Sequence, residues 1–231
     1  MEIRRYCEPV VEGERNRGTN SAGLTSNIYW KVLTSPPREF PPATSLFVQG
    51  QAACEVFYVE QGMVKLTHID EGGKELIVGL RSKGHWLGAA PTIVQESHQV
   101  TAVTVNRCSL SIISADTFLR LARTDEQFGW YLQQVHSREV NQQMSQIVAL
   151  GQMSAKARLE NLLLQFLSSI PVRKRQTLVK VQLPLKHWEI AQLLGITPEH
   201  LSRVFKQIKQ DGVMCHEDGY IIVSDINKLC N

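Results

Sequence analysis

Two hydrophobic periods divide the chain. Between Thr44 and Ser114 the apolar residues fall into short β-branched and aromatic runs: S-L-F-V-Q-G-Q, E-V-F-Y-V-E-Q-G-M-V-K-L-T-H-I, E-L-I-V-G-L, V-T-A-V-T-V and S-L-S-I-I-S. Gly50, Gly62, Gly72, Gly73 and Gly84 punctuate them, and Thr101, Val103 and Val105 alternate with Ala102 and Thr104. Many short strands at near-regular spacing predict a small antiparallel barrel or jelly roll. From Ala115 the period becomes helical. A short helix is expected at Ala115–Leu121 and a long one from Asp125 to about Leu150. The long one carries two apolar stripes, Phe128, Leu132 and Val135, then Val140, Met144, Ile147 and Val148, with His136, Ser137, Arg138 and Glu139 between them. At about 25 residues, roughly 37 Å, it needs a packing partner: the barrel, a second copy, or both. Gly151 and Ser154 mark a hinge, and Lys156–Ser168 is an amphipathic helix with Leu159, Leu162, Leu163, Phe166 and Leu167 inward. V-K-V-Q-L-P-L reads as a short strand.

The stretch from Leu185 to Gly212 reads as two helices joined by a tight turn. Trp188, Ile190, Ala191, Leu193 and Leu194 give the first an apolar face; Gly195 then suits a left-handed helix end, and Ile196 plugs the angle. Thr197 is an N-cap and Pro198 sits at the first helical position, where its missing N–H is harmless. The second helix turns Leu201, Val204, Phe205 and Ile208 inward and leaves Glu199, His200, Ser202, Arg203, Lys206 and Lys209 outside. Then V-M-C-H-E-D-G-Y-I-I-V gives two apolar runs about a turn, a hairpin where a wing would stand. Such a pair of helices can be a hairpin buried in a larger core, and Glu199 and Arg203 can be only a surface ion pair. The outward polar face, however, suits a recognition helix in a major groove, where a carboxylate accepts from cytosine N4 and an arginine reads guanine.

Charge sharpens this picture. The net charge is +3, and the excess is uneven: 11 Lys and Arg against 7 Asp and Glu from Gly151 onward, 14 against 15 before it. The basic half is the half with the helix-turn-helix, which suits a polyanion. Cys7, Cys54, Cys108, Cys215 and Cys230 form no metal-binding or C-x-x-C pattern, which fits unpaired thiols in a reducing compartment. No apolar run reaches membrane length, no signal peptide is seen, and the expected place is the cytoplasm. Residues 1–40 read as a partly irregular segment with a short helix at Ile28–Leu33; Arg4, Arg5, Arg15 and Arg17 are read as a solvated tail.

The stretch E-I-A-Q-L-L-G-I-T-P-E-H-L-S-R-V-F-K-Q-I-K-Q-D-G resembles the signature of the Crp/Fnr superfamily of bacterial transcription regulators. The spacing Q-G … Y-V-E-Q-G-M-V-K-L … E-G-G-K-E … G-L resembles the cyclic-nucleotide-binding β-roll that precedes it, so the likeness runs from about residue 40 to the end. It implies an α+β chain: an N-terminal antiparallel, jelly-roll-like β-roll over 41–123, a dimerisation helix over 124–150 and a winged helix-turn-helix over 151–231. It further implies duplex DNA as partner, a homodimer, RNA polymerase as a second protein partner, and a small-molecule effector sensed by the β-roll. Glu199, Ser202 and Arg203 match the base-reading positions of the Fnr-like branch, with a palindromic operator of TTGA-type half-sites. Lys186, Thr197, Pro198, His200 and Lys206 are supporting contacts, Pro198 replacing a residue often polar in relatives. The dimer seam is expected at Phe128, Leu132, Val135, Met144 and Ile147.

The effector pocket is expected around Trp86, Gly88, Ala89, His98 and Gln99. Nucleotide-binding members hold ribose and phosphate with Gly-Glu and Arg-Ser pairs. Here Gly88 is followed by Ala89, and His98-Gln99 replaces Arg-Ser, with no arginine between Arg81 and Arg107. A phosphate would lack its counter-charge, so the effector is not expected to be a cyclic nucleotide. His68, His85 and His98, with Trp86 and Met63, leave haem or a small apolar ligand open, but no Cys-x-His pair stands in the corresponding turn and no cofactor or metal is assigned. The lone Cys7 likewise lacks the company an N-terminal iron–sulfur cluster needs. An enzyme would need convergent catalytic or metal groups, and none is found. The other rival is an interaction module whose helix-turn-helix contacts protein.

Overall fold

The computed structural model describes residues 36–168, 179–182, 184–210, 214–217 and 220–223. The expected helix at Ile28–Leu33, the N-terminal arginines and the basic run 173–175 lie outside them. Eight strands form the first half: β1 (Arg38–Phe40), β2 (Ser45–Phe47), β3 (Glu55–Gln61), β4 (Met63–Ile69), β5 (Glu75–Ser82), β6 (Trp86–Leu87), β7 (Thr101–Thr104) and β8 (Cys108–Ser114). They make two four-stranded antiparallel sheets, β1-β8-β3-β6 and β2-β7-β4-β5. Between them Phe47, Phe57, Val59, Val64, Leu87, Ala102 and Leu110, from six of the eight strands, form a buried apolar core, in keeping with the alternation that the sequence shows. β1 lies inside the segment expected to be irregular; Arg38–Phe40 pairs with Cys108–Leu110 and so belongs to the roll.

A short helix, α1 (Ala89–Val94), interrupts the strands. After β8 come α2 (Ala115–Thr124) and α3 (Glu126–Gln152). Ser114 caps α2 by accepting from Thr117 N–H at 3.3 Å, and Asp125 caps α3 by accepting from Phe128 N–H at 2.9 Å. Phe118, Phe128 and Trp86 meet at ring-centroid distances of 5.6, 6.1 and 5.7 Å, locking both helices onto the outer face of the first sheet. Each such ring stabilises by about 4–6 kcal/mol as an upper bound, from roughly 150–250 Å² buried.

The hinge differs from expectation. Gly151 is still helical, and the chain breaks at Met153, which is extended. Ser154 Oγ caps α4 (Ala155–Ser168) by accepting from Ala157 N–H at 3.2 Å. Arg158 reaches back from α4 and donates to the Met153 and Leu150 carbonyls at 2.8 and 3.2 Å, a cation on the carbonyl end of α3.

The second half holds β9 (Val179–Gln182), α5 (His187–Leu193), α6 (Pro198–Gln210), β10 (Met214–Glu217) and β11 (Tyr220–Val223). The strands form a three-stranded antiparallel sheet in the order β10-β11-β9. Leu159, Leu163 and Phe166 of α4 share one core with Ile190, Ala191 and Leu194 of α5 and Leu201, Val204 and Ile208 of α6. Met63, Leu80 and Val105 of the β-roll enter that same cluster.

Candidate nucleic-acid interface and sensor core

The turn between α5 and α6 is set by three residues. Gly195 adopts φ +63°, a left-handed conformation that glycine takes without strain, and a Cβ there would stand 3.1 Å from Leu150. Thr197 Oγ1 accepts from His200 N–H at 3.2 Å, and Pro198 starts α6. With Leu201, Val204 and Ile208 buried, helical period puts Glu199, His200, Ser202, Arg203 and Lys206 on the exposed side, as expected. Phe205 is half-buried on the flank. Ser202 Oγ donates to the Pro198 carbonyl at 3.1 Å. The Glu199 carboxyl is held below its ordinary range, chiefly by its own backbone N–H and the Thr197 hydroxyl, then by Arg203 and His187. It therefore stands as an acceptor, and Arg203 as a fork of donors, one turn apart on a face open to solvent.

Helix α5 stands differently from expectation. Trp188 was expected inward; it is exposed, with Lys65 Nζ 5.9 Å from its ring centre. Glu189 is the buried polar residue. Its Oε2 accepts from Lys186 N–H at 2.7 Å, closing the start of α5, and its Oε1 meets Lys65 Nζ of β4 at 2.5 Å. Gln192 lies along the edge of β5, accepting from Ile77 N–H at 3.2 Å and donating to the Glu75 carbonyl at 3.0 Å. These bonds satisfy backbone groups that an edge strand leaves open. The first helix of the reading motif is thus fastened to the sensor sheet through an ion pair, two hydrogen bonds and shared apolar side chains. None of Lys65, Glu189 or Gln192 was singled out from sequence, because partners more than a hundred residues apart leave no local signal.

The expected dimer seam divides in two. Phe128, Leu132 and Val135 are buried at 3%, 3% and 8% exposure against Trp86, Phe118 and Ile113 of their own chain, so they are not available to a partner. Helical period puts them on the side of α3 opposite Met144. That other side carries Trp130 at 65% exposure and Ile147 at 64%, with Val140, Met144 and Val148 between half and two-thirds exposed. Trp130 joins this row although sequence reading passed it over. In the polar middle, Glu139 Oε1 lies 3.7 Å from Arg81 Nε of β5.

The expected effector residues also separate. Trp86 and Leu87 are consecutive strand residues and face opposite ways. Trp86 and Ala89 therefore pack with α2 and α3, whereas Leu87 faces the barrel interior. His98 is buried and stacks on Phe47 at 3.8 Å with 9° between planes, and Gln99 is exposed. A Cβ on Gly88 would meet His98 Cε1 at 3.1 Å. Gly88 and His98 therefore stand together, whereas Trp86 and Ala89 pack toward α2 and α3 and Gln99 is exposed. Burial pushes the His98 imidazole below its ordinary pKa, favouring the neutral ring. Trp86 Nε1 and Thr92 Oγ1 are buried without a hydrogen-bond partner among the described residues. His68 Nδ1 lies 3.1 Å from the Gln99 carbonyl and His85 Nδ1 2.9 Å from the Ser82 carbonyl, so the three histidines do not converge. Among the described residues no group of three His, Cys, Asp or Glu side chains could hold a metal ion.

Two family models match this architecture. The Cyclic nucleotide-binding domain matches residues 37–125 and the Crp-like helix-turn-helix domain residues 157–231. The chain belongs to the Crp/Fnr superfamily of transcription regulators. It is 25% identical over 193 residues to the transcriptional activator protein FnrA of Stutzerimonas stutzeri, spanning 84% of this chain and 78% of that protein. It is 27% identical over 188 residues to the transcriptional activator protein anr of Pseudomonas aeruginosa, spanning 80% and 75%. In fold it is similar to FixK2 from Bradyrhizobium japonicum, with a TM-score of 0.71 at 20% identity, covering 84% of this chain and 95% of that one. The regulator is therefore a DNA-binding protein and not an enzyme. No helix among its described residues is long and apolar enough to cross a membrane.

Proposed function

We propose that the regulator binds a palindromic operator of TTGA-type half-sites as a twofold dimer in the cytoplasm, with a β-roll that senses something other than a cyclic nucleotide. One observation carries the reading: Glu199, Ser202 and Arg203 share the exposed face of α6 while its other face forms core. Arg203 reads guanine, and Glu199 and Ser202 complete the half-site. Lys186, Thr197, Pro198, His200 and Lys206 stand nearest the phosphates, and the β10–β11 hairpin serves as a wing. Two half-sites one helical turn apart need two recognition helices about 34 Å apart, hence a dimer. The exposed row Trp130–Val140–Met144–Ile147–Val148 supplies the seam. Activation, as the names of two relatives suggest, would run through contact with RNA polymerase.

The effector reading rests on charge. A cyclic phosphate taken out of water requires a cation and hydrogen bonds, and His98 is a buried ring favoured neutral where the family places arginine. Fluorescence anisotropy on a duplex carrying two inverted TTGA half-sites, against a scrambled duplex, tests DNA reading. Calorimetric titration with cyclic AMP and cyclic GMP tests the sensor. Equal affinity for both duplexes, or micromolar nucleotide binding, would refute the corresponding part.

A further inference from the structure

His187 opens α5, is exposed, and stands over the seam between the two helices of the reading motif. Its Nε2 lies 3.5 Å from Ser202 Oγ, the outer limit of a hydrogen bond, and its ring lies 6.0 Å from that of Phe205. Nothing above assigns it a role. The groups that face it can be named. From α6 these are Glu199 and Arg203, which flank Ser202; from its own turn, Lys186. Glu189 is turned away, buried against Lys65, and Glu75 meets α5 on that far side through Gln192. A carboxylate, a guanidinium, a hydroxyl and an imidazole therefore share one small surface, and only the imidazole changes charge between pH 5 and 8 in its ordinary state.

We infer that His187 is a specificity-supporting DNA contact whose protonation strengthens binding, making operator affinity depend on pH. This rests on the DNA-reading face proposed above. Protonated, His187 adds one cation per subunit beside Arg203, where a bound duplex brings its backbone phosphates. Nε2 also becomes a fixed donor toward Ser202 Oγ, so that the hydroxyl keeps its own proton on the Pro198 carbonyl and turns a lone pair toward the base. Deprotonated, the ring adds no charge and competes with Pro198 for the Ser202 proton.

The test is anisotropy on the inverted-TTGA duplex at constant ionic strength, from pH 5.8 to 8.0, with salt titrations at both ends. Native protein is expected to bind roughly five- to tenfold tighter per subunit at the acid end, with a log Kd against log salt slope steeper by about 0.9 per engaged histidine. His187→Gln should flatten the pH profile while keeping preference for the half-site. His187→Arg should restore the acid-end affinity at every pH, which a merely structural role would not do. A profile flat in the native protein, or unchanged in His187→Gln, overturns the inference and leaves the reading face standing. Binding insensitive to half-site sequence at every pH overturns the reading face and this inference together.

Discussion

Removing Lys65 offers the most informative perturbation of how sensor and reader are joined. Glu189 is 4% exposed and has two partners, Lys65 Nζ at 2.5 Å and Lys186 N–H at 2.7 Å. Lys65→Met keeps an aliphatic stem of similar length but leaves a buried carboxylate with one neutral donor. Breaking a fully buried pair costs about 3–5 kcal/mol. Two features reduce that here: the Lys65 side chain is 19% exposed, so water reaches the pair, and the Lys186 N–H remains in place. We expect a loss of about 2–3 kcal/mol. Glu189→Gln keeps an amide oxygen for the cap and leaves a lysine that can turn to water, a loss of about 1–2 kcal/mol. The double substitution removes both charges and should be less destabilised than the sum of the singles by about 1–3 kcal/mol. Urea unfolding followed by tryptophan emission and far-ultraviolet circular dichroism measures all four proteins. Additivity within about 0.5 kcal/mol would refute the coupling and with it the fastening of α5 to β4.

Met144→Glu with Ile147→Glu should yield a folded monomer with weakened operator binding by sedimentation velocity, whereas Phe128→Ala should lower stability by about 3–5 kcal/mol through a core cavity. For His98, the folded-state pKa lies below the unfolded value near 6.5, so its contribution to stability is present above that value and lost as pH falls through and below it. His98→Phe should remove that part of the acid dependence in thermal melts at pH 5 to 8. Burial pushes the Cys108 thiol up, so iodoacetamide at pH 8 should alkylate exposed Cys54 well before Cys108, as read by peptide mass spectrometry.

Legibility from sequence followed the range of each interaction. The turn of the helix-turn-helix and the face of α6 were readable because Gly195, Thr197 and Pro198 act within a turn of their own positions. The longer strands were readable from alternation, but β1 and β6, three and two residues long, are too short to carry a period. Periodicity revealed two apolar stripes on α3 without saying what covers each. Phe128, Leu132 and Val135 turned out to face the barrel of their own chain, half a turn from Met144. Neighbours in sequence also misled at the sensor, where strand parity sends Trp86 and Leu87 to opposite sides of one sheet. Trp188 looked like core because it is large and apolar; its actual neighbour, Lys65, lies in a strand far back in the chain.

The central claim is that Arg203 and Glu199 on the open face of α6 read base edges. Its most direct test is the affinity of native and Arg203→Ala protein for the inverted-TTGA duplex and every single-base variant of one half-site. The native protein should discriminate against replacement of the guanine by about 1–3 kcal/mol, and Arg203→Ala should lose that discrimination at the guanine while keeping it elsewhere. Discrimination unchanged by the substitution, or weakened uniformly at every position, would contradict base reading by this face.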